Sequence, residues 1–142
     1  MAEGLFRRAV ADRGDYQVGS AGVSASRGTP ASRETAAVLK KRGAALDQFS
    51  SQQVSAELLE TASHVFAMTR GHLQILESRF PEFSEKFYLV CEFADIPHQG
   101  IGMDVPDPIG MGKAAYEEVA DVLDIAIPAI VAYIDQTWKT QQ

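Results

Sequence analysis

Cysteine is nearly absent from this chain, since Cys91 is the only one in 142 residues. An intramolecular disulfide is therefore excluded, and the lack of disulfides suits a reducing compartment, so we expect a cytoplasmic protein. The three histidines, His64, His72 and His98, share no metal-ligand spacing and have no cysteine near them. We therefore read them as ordinary surface or strand-end histidines, and expect no metal and no cofactor.

Long hydrophobic runs and a surplus of basic residues are also missing. The longest apolar run, Ile125 to Ile134, is too short to span a bilayer and contains Pro128. The N-terminal residues mix charges with apolar side chains, unlike a signal peptide. The net charge of -6 leaves no evident basic face for phosphate backbones. We expect neither a membrane nor a nucleic acid as a partner.

The composition is that of an ordinary globular protein, with 46% hydrophobic and 23% charged residues. The length fits one domain with one hydrophobic core, and no repeat, low-complexity tract or linker divides it. Helical and strand-like segments alternate, which is typical of an α/β fold with a parallel sheet. The predicted helices cover residues 2–13, 30–42, 56–62, 70–80 and 113–138, and the predicted strands residues 16–23, 64–68 and 86–91.

One long stretch, residues 92–112, carries no helix or strand signal and contains three prolines and four glycines. We predict a loop, and a loop of that length inside a compact domain is usually functional. The helix that follows contains Pro128. We expect this proline to bend the helix, because it removes one backbone hydrogen bond and crowds the carbonyl of Asp124.

Three motifs, in this order, carry a resemblance to a known family. They are residues 1–6 (MAEGLF), residues 20–23 (SAGV) followed by Gly28-Thr29-Pro30, and residues 104–110 (DVPDPIG) with Tyr116 downstream. Their order and spacing resemble the low-molecular-weight protein tyrosine phosphatases, including the bacterial protein-arginine phosphatase branch. The resemblance covers essentially the whole chain.

The resemblance implies a fold and a chemistry. The family fold is a four-stranded parallel sheet in the order 2-1-3-4, flanked by helices. A C-x5-R loop after the first strand cradles the phosphate with backbone N–H groups, an arginine and the positive end of a helix. Its cysteine thiolate attacks phosphorus to give a cysteinyl-phosphate. An aspartate on a distant loop protonates the leaving group and then activates water.

The sequence departs from this pattern at the nucleophile. It contains no C-x5-R motif, since Pro97 stands six positions after Cys91, and Met1 occupies the position just beyond the family's loop. Cys91 lies in an apolar run where burial raises a thiol pKa and leaves it inert. We therefore assign no nucleophile.

The predicted fold is a three-layer α/β domain over residues 1–142, with a small parallel sheet flanked by helices. It is truncated at the N-terminus relative to the family and lacks the family's first strand, the middle one of the sheet. Each buried backbone group left unpaired costs roughly 1–3 kcal/mol. The strands could close into a three-stranded sheet, another chain could donate a strand, or the protein could start upstream of Met1. We favour the last.

The site prediction centres on Asp107, which the resemblance places at the general acid/base position. Its neighbours on the substrate loop are Asp104, which could assist it, Pro108 and Ile109. The plainer interpretation is that Asp-Pro is a common turn signal. Relatives commonly carry an aromatic residue where this chain has Ile109, which leaves phosphotyrosine, phosphoarginine or a lost substrate open.

Two functions from different classes remain. The first is a phosphatase-family domain that acts on phosphorylated proteins when intact and is inactive as given, because nucleophile and phosphate cradle are absent. The alternative is a non-catalytic interaction module, or pseudophosphatase, that binds a protein partner. A homo-oligomer that completes the sheet with a neighbour's edge is a third hypothesis.

Overall fold

The computed structural model describes residues 1–22, 32–44 and 52–138. The predicted helix start at Thr29-Pro30, together with Val23 and Gly28 of the same motif, lies outside these residues. The chain divides into two compact units, one of residues 1–55 and 107–123 and the other of residues 56–106 and 124–142. The long C-terminal helix contributes its first part to one unit and its remainder to the other.

The first unit is helical. Helix α1 spans Ala2–Ala9 and buries Gly4 and Leu5. Helix α2 spans Arg33–Lys41 and is preceded by Ser32, whose side chain accepts a hydrogen bond from the amide of Thr35 at 3.2 Å. This is an ordinary N-cap, which satisfies one of the free N–H groups at a helix start. The apolar core of this unit includes Leu5, Val10, Val38, Leu39, Ala44, Tyr116, Val119, Ala120 and Leu123.

An ion-pair cluster joins the end of α2 to the C-terminal helix α5, which spans Lys113–Thr137. Arg42 Nη2 donates to Glu117 Oε2 at 2.8 Å and to Asp121 Oδ1 at 2.9 Å. Lys41 lies 3.5 Å from Glu117 on the same side. The hydrogen bond from Arg42 is the main reason that the pKa of Glu117 lies below its usual value.

The second unit holds the parallel sheet. Strand β1 spans Val65–Ala67 and pairs with β2, Phe87–Leu89, in the register Val65 with Phe87 and Ala67 with Leu89. Between them the chain forms helix α4, Arg70–Arg79, and a 3-10 helix, Pro81–Lys86. Helix α4 contacts both strands, as a crossover helix between parallel strands does. Helix α3, Ala56–Thr61, precedes β1.

The predicted long loop over residues 92–112 is wrong in its first half. A short antiparallel hairpin lies there, with β3 at Asp95–Ile96 and β4 at Gly100–Ile101. The turn closes through a hydrogen bond from the amide of Gln99 to the carbonyl of Ile96 at 2.9 Å. His98 and Gly100 adopt positive φ values of 67° and 81°, the conformation that such tight turns require.

The predicted strand over residues 16–23 is also not formed over its described part, residues 16–22. One isolated parallel bridge joins Gly22 to Gln53. The segment is instead held by side chains on α1, since Arg7 Nη2 donates to the carbonyl of Val18 and Ser20 Oγ donates to Glu3 Oε1, both at 2.6 Å. An extended segment becomes a strand only where a neighbour pairs its backbone along its length.

The parallel sheet has two strands among the described residues, so the three-stranded closure considered from the sequence is not observed there. The amide of Val90 donates to the carbonyl of Ala67 at 2.9 Å, which shows that Val65 and Ala67 bond towards β2. Because backbone groups alternate along a strand, the N–H and C=O of Phe66 point to the opposite edge.

Helix α5 ends within one residue of its predicted end, and Pro128 lies exposed inside it. Its mostly apolar inner side is buried at Val119, Leu123, Ile127 and Ile130. Of the helices in the described residues, none is both long and apolar enough to cross a membrane.

Candidate active-site residues

Asp107, the predicted general acid, lies on the loop between β4 and α5, and its side chain is exposed. Its Oδ1 accepts a hydrogen bond from the amide of Ile109 at 3.0 Å, and the amide of Met111 donates to the carbonyl of Pro108 at 2.9 Å. The carboxylate therefore forms an Asx turn on its own chain. An exposed carboxylate held in one orientation can exchange a proton with a bound molecule and with water.

Two of the predicted neighbours of Asp107, Pro108 and Ile109, form the outer part of that turn. Pro108 is half-buried, whereas Ile109 is 72% exposed and Met111 is 70% exposed. Ile109 stands where an aromatic residue is expected from the family, so the loop offers a flexible aliphatic side chain instead of a flat ring. An aliphatic side chain does not stack on an aromatic substrate in the way that a ring does.

Asp104, the predicted assistant of Asp107, caps the start of a helix. Its Oδ1 accepts a hydrogen bond from the amide of Arg70, the first residue of α4, at 2.9 Å. The adjacent amide of Val105 donates to the carbonyl of Met68 at 2.8 Å, and Val105 is 3% exposed. This contact could not be predicted from the sequence, because the two partners are 34 residues apart.

Cys91 is fully buried in the turn that follows β2. Burial is the main cause that raises the pKa of its thiol, and the nearby negative charge of Asp104 adds to it. Both effects disfavour the thiolate, which is the nucleophilic form. The backbone carbonyl of Cys91 has a structural role instead, since it accepts a hydrogen bond from the amide of Gly102 at 2.9 Å.

The histidines differ in their surroundings. His72 and His98 are exposed, whereas His64 is half-buried among aromatic rings of the second unit. Its ring centroid lies 5.7 Å from that of Tyr88 and 5.3 Å from that of Trp138. Burial lowers the pKa of His64. Over residues 1–22, 32–44 and 52–138, no three His, Cys, Asp or Glu side chains are grouped as metal ligands would be.

Comparison with known proteins settles the family. The profile of the low molecular weight phosphotyrosine protein phosphatases matches residues 1–140. The chain belongs to this family. It is 36% identical over 111 residues to a protein-arginine-phosphatase of Geobacillus stearothermophilus, a match that covers 78% of this chain and 72% of the relative. It is 34% identical over 125 residues to a protein-arginine-phosphatase of Bacillus subtilis (strain 168), with 87% and 80% covered.

The fold of this phosphatase-family chain is also that of solved family structures. The arginine phosphatase YwlE, solved as a mutant with a phosphorylated active-site serine, matches with a TM-score of 0.85 at 30% identity over 96% of this chain and 87% of the other. The predicted α/β fold, with helices flanking a small parallel sheet, is therefore confirmed. The resemblance noted from the three sequence motifs is confirmed with it.

Proposed function

We propose that this phosphatase-family chain carries the general acid/base of a protein phosphatase at Asp107. The observation that supports this most directly is the exposed Asp107 carboxylate, held by the amide of Ile109 in the family's Asp-Pro motif. The substrate would be a phosphorylated protein. Asp107 would give its proton to the leaving oxygen or nitrogen as its bond to phosphorus breaks, and would then take a proton from the attacking water.

We propose phosphoarginine as the side chain that this domain recognises when a nucleophile loop is supplied. Two relatives at 36% and 34% identity are protein-arginine-phosphatases. The exposed aliphatic Ile109 supports the same choice, because a phosphoarginine side chain has no ring that needs an aromatic wall.

We also propose that the 142 residues form one phosphatase-like domain that does not turn over substrate alone. Its single cysteine, Cys91, is buried and its thiol pKa is raised, and no C-x5-R motif is present in the sequence. Loss of a nucleophile alone typically costs several orders of magnitude in rate. A cytoplasmic location is part of this proposal, supported by the single cysteine.

A chimera tests the acid assignment. A first strand and a C-x5-R loop of the family's pattern are fused directly before Met1, and turnover of phosphoarginine, phosphotyrosine and p-nitrophenyl phosphate is measured. We expect the Asp107→Asn chimera to lose about 10²–10⁴-fold in kcat for substrates with a poor leaving group. Asp95→Asn, at another exposed carboxylate, is the matched control and keeps its rate. Equal rates for Asp107→Asn and the parent chimera would refute the assignment.

The second candidate function is a non-catalytic module that binds a protein partner. It is favoured by Ile109 and Met111, two large apolar side chains that are about 70% exposed on one loop. A homo-oligomer that completes the sheet is the third reading, supported by the outward-facing backbone of Phe66 on β1. Sedimentation of the 142-residue chain tests the homo-oligomer, because a protein that stays monomeric at all concentrations would contradict it.

A further inference from the structure

The segment just before Asp107 is attached to the start of α4 by two consecutive residues. Asp104 Oδ1 accepts from the amide of Arg70 at 2.9 Å, and the amide of Val105 donates to the carbonyl of Met68 at 2.8 Å. One bond uses a side chain and the other uses the backbone. Together they fix both the position and the direction of the chain at residues 104–105, and the burial of Val105 supports the same placement.

Helix α4 therefore receives two caps from different parts of the chain. Thr69 directly precedes α4 and is its N-cap, since the hydroxyl of Thr69 accepts a hydrogen bond from the amide of His72 at 3.1 Å. Asp104 satisfies the amide of Arg70, which has no partner within the helix. A carboxylate is well suited to this place, because the start of a helix carries partial positive charge.

The chain is also anchored two residues before Asp104. The amide of Gly102 donates to the carbonyl of Cys91 at 2.9 Å. Gly102 is buried with φ of 80°, and a Cβ built on it would lie 3.6 Å from Arg70 Nη2. The chain is thus held through the backbone at residues 102 and 105 and through the side chain at residue 104. Asp107 follows Val105 by two residues, so their Cα atoms can be no more than roughly 7 Å apart.

We propose that Asp104 is a positioning residue, which fixes the segment that leads into Asp107 to the N-terminus of α4, and that it is not a second proton carrier. The proposal rests on the function proposed above for Asp107. The positioning role belongs to the side-chain oxygen of Asp104 that accepts a hydrogen bond, and it does not require this carboxyl group to transfer a proton. An asparagine, whose side-chain oxygen caps a helix as well as a carboxylate does, should therefore replace it.

The first test uses the 142-residue chain and needs no activity. Amide hydrogen exchange is followed by NMR in Asp104→Ala, Asp104→Asn and Thr69→Ala. We expect Asp104→Ala to speed exchange about 5-fold or more at Arg70 and at Val105, as the loss of one cap allows. Asp104→Asn stays close to the parent. Thr69→Ala, the matched control, speeds exchange at His72 and leaves Val105 unchanged. Unchanged exchange at Val105 in Asp104→Ala would overturn the proposal.

The second test uses the same substitutions in the chimera. We expect Asp104→Ala to lower kcat about 10-fold or more, because a small displacement of a catalytic group is costly. Asp104→Asn keeps most of kcat and the pH profile, and Thr69→Ala keeps kcat. A loss in Asp104→Asn as large as in Asp104→Ala, with a changed pH profile, would identify a proton carrier and refute the proposal. If Asp107→Asn has no effect, the proposed function fails, while the exchange experiment still decides the anchor.

Discussion

Replacing Pro128 by alanine should stabilise the protein. Pro128 lies inside α5 with its side chain exposed, so little buried surface is lost with the ring. Alanine restores an N–H that can donate to the carbonyl of Asp124, a net gain of about 0.5–1.5 kcal/mol. The whole penalty for a proline in a helix interior is about 3 kcal/mol. We therefore expect a gain of about 2 kcal/mol, which raises Tm by about 4–8 °C for a chain of this length.

The assay is thermal unfolding of Pro128→Ala followed by circular dichroism. The matched control is Pro97→Ala, at an exposed proline in the turn between β3 and β4. There proline only restricts the unfolded chain, so its loss should cost about 0.4–1 kcal/mol. The two substitutions are thus expected to have opposite signs. A Pro128→Ala protein with an unchanged or lower Tm would contradict the reasoning, because it would mean that the proline is needed for packing around α5.

Two further predictions concern a buried leucine of α5 and a partly buried histidine. Leu123→Ala, at a fully buried position of α5, should lower the free energy of unfolding in urea by about 2–5 kcal/mol. Ile125→Ala, at a 42% exposed position, should lower it by less than half as much. Equal losses would mean that the burial pattern is wrong. Because burial lowers the pKa of His64 below 6.5 in the folded protein, His64 takes up its proton at a higher pH in the unfolded chain than in the folded one. The His64 contribution is therefore intact above pH 6.5 and declines as the pH falls from there towards the folded-state pKa. In His64→Phe, the midpoint of urea unfolding should change less between pH 7 and 5 than in the parent, with Trp138, the only tryptophan, as the fluorescent probe. An unchanged pH dependence of the midpoint would exclude His64 as its source.

The parts of the fold that depend on local periodicity could be predicted from the sequence. Helix α5 is an example, because Val119, Leu123, Ile127 and Ile130 repeat at helical spacing and all are buried. Strands β1 and β2 could be predicted for a related reason, since each is a short apolar run between polar segments. Their observed lengths, three residues each, are shorter than predicted.

The parts that depend on distant partners could not be predicted in this way. Residues 16–22 have a strand-like composition, but a strand also needs a neighbour, and side chains of α1 hold this segment instead. The β3–β4 hairpin has two residues per strand, too few for an alternating pattern to be visible. The hydrogen bond of Asp104 could not be predicted either, because its partner, Arg70, lies on another element.

The most direct test of the proposed function is phosphatase activity of the 142-residue chain by itself, with p-nitrophenyl phosphate and phosphoarginine as substrates. Because the only cysteine, Cys91, is buried with a raised thiol pKa, we predict no turnover above that of the Cys91→Ser variant. The chimera that carries the family's C-x5-R loop should be active under the same conditions. Turnover by the 142-residue chain that Cys91→Ser abolishes would contradict the account, because it would show that the buried thiol can act as a nucleophile.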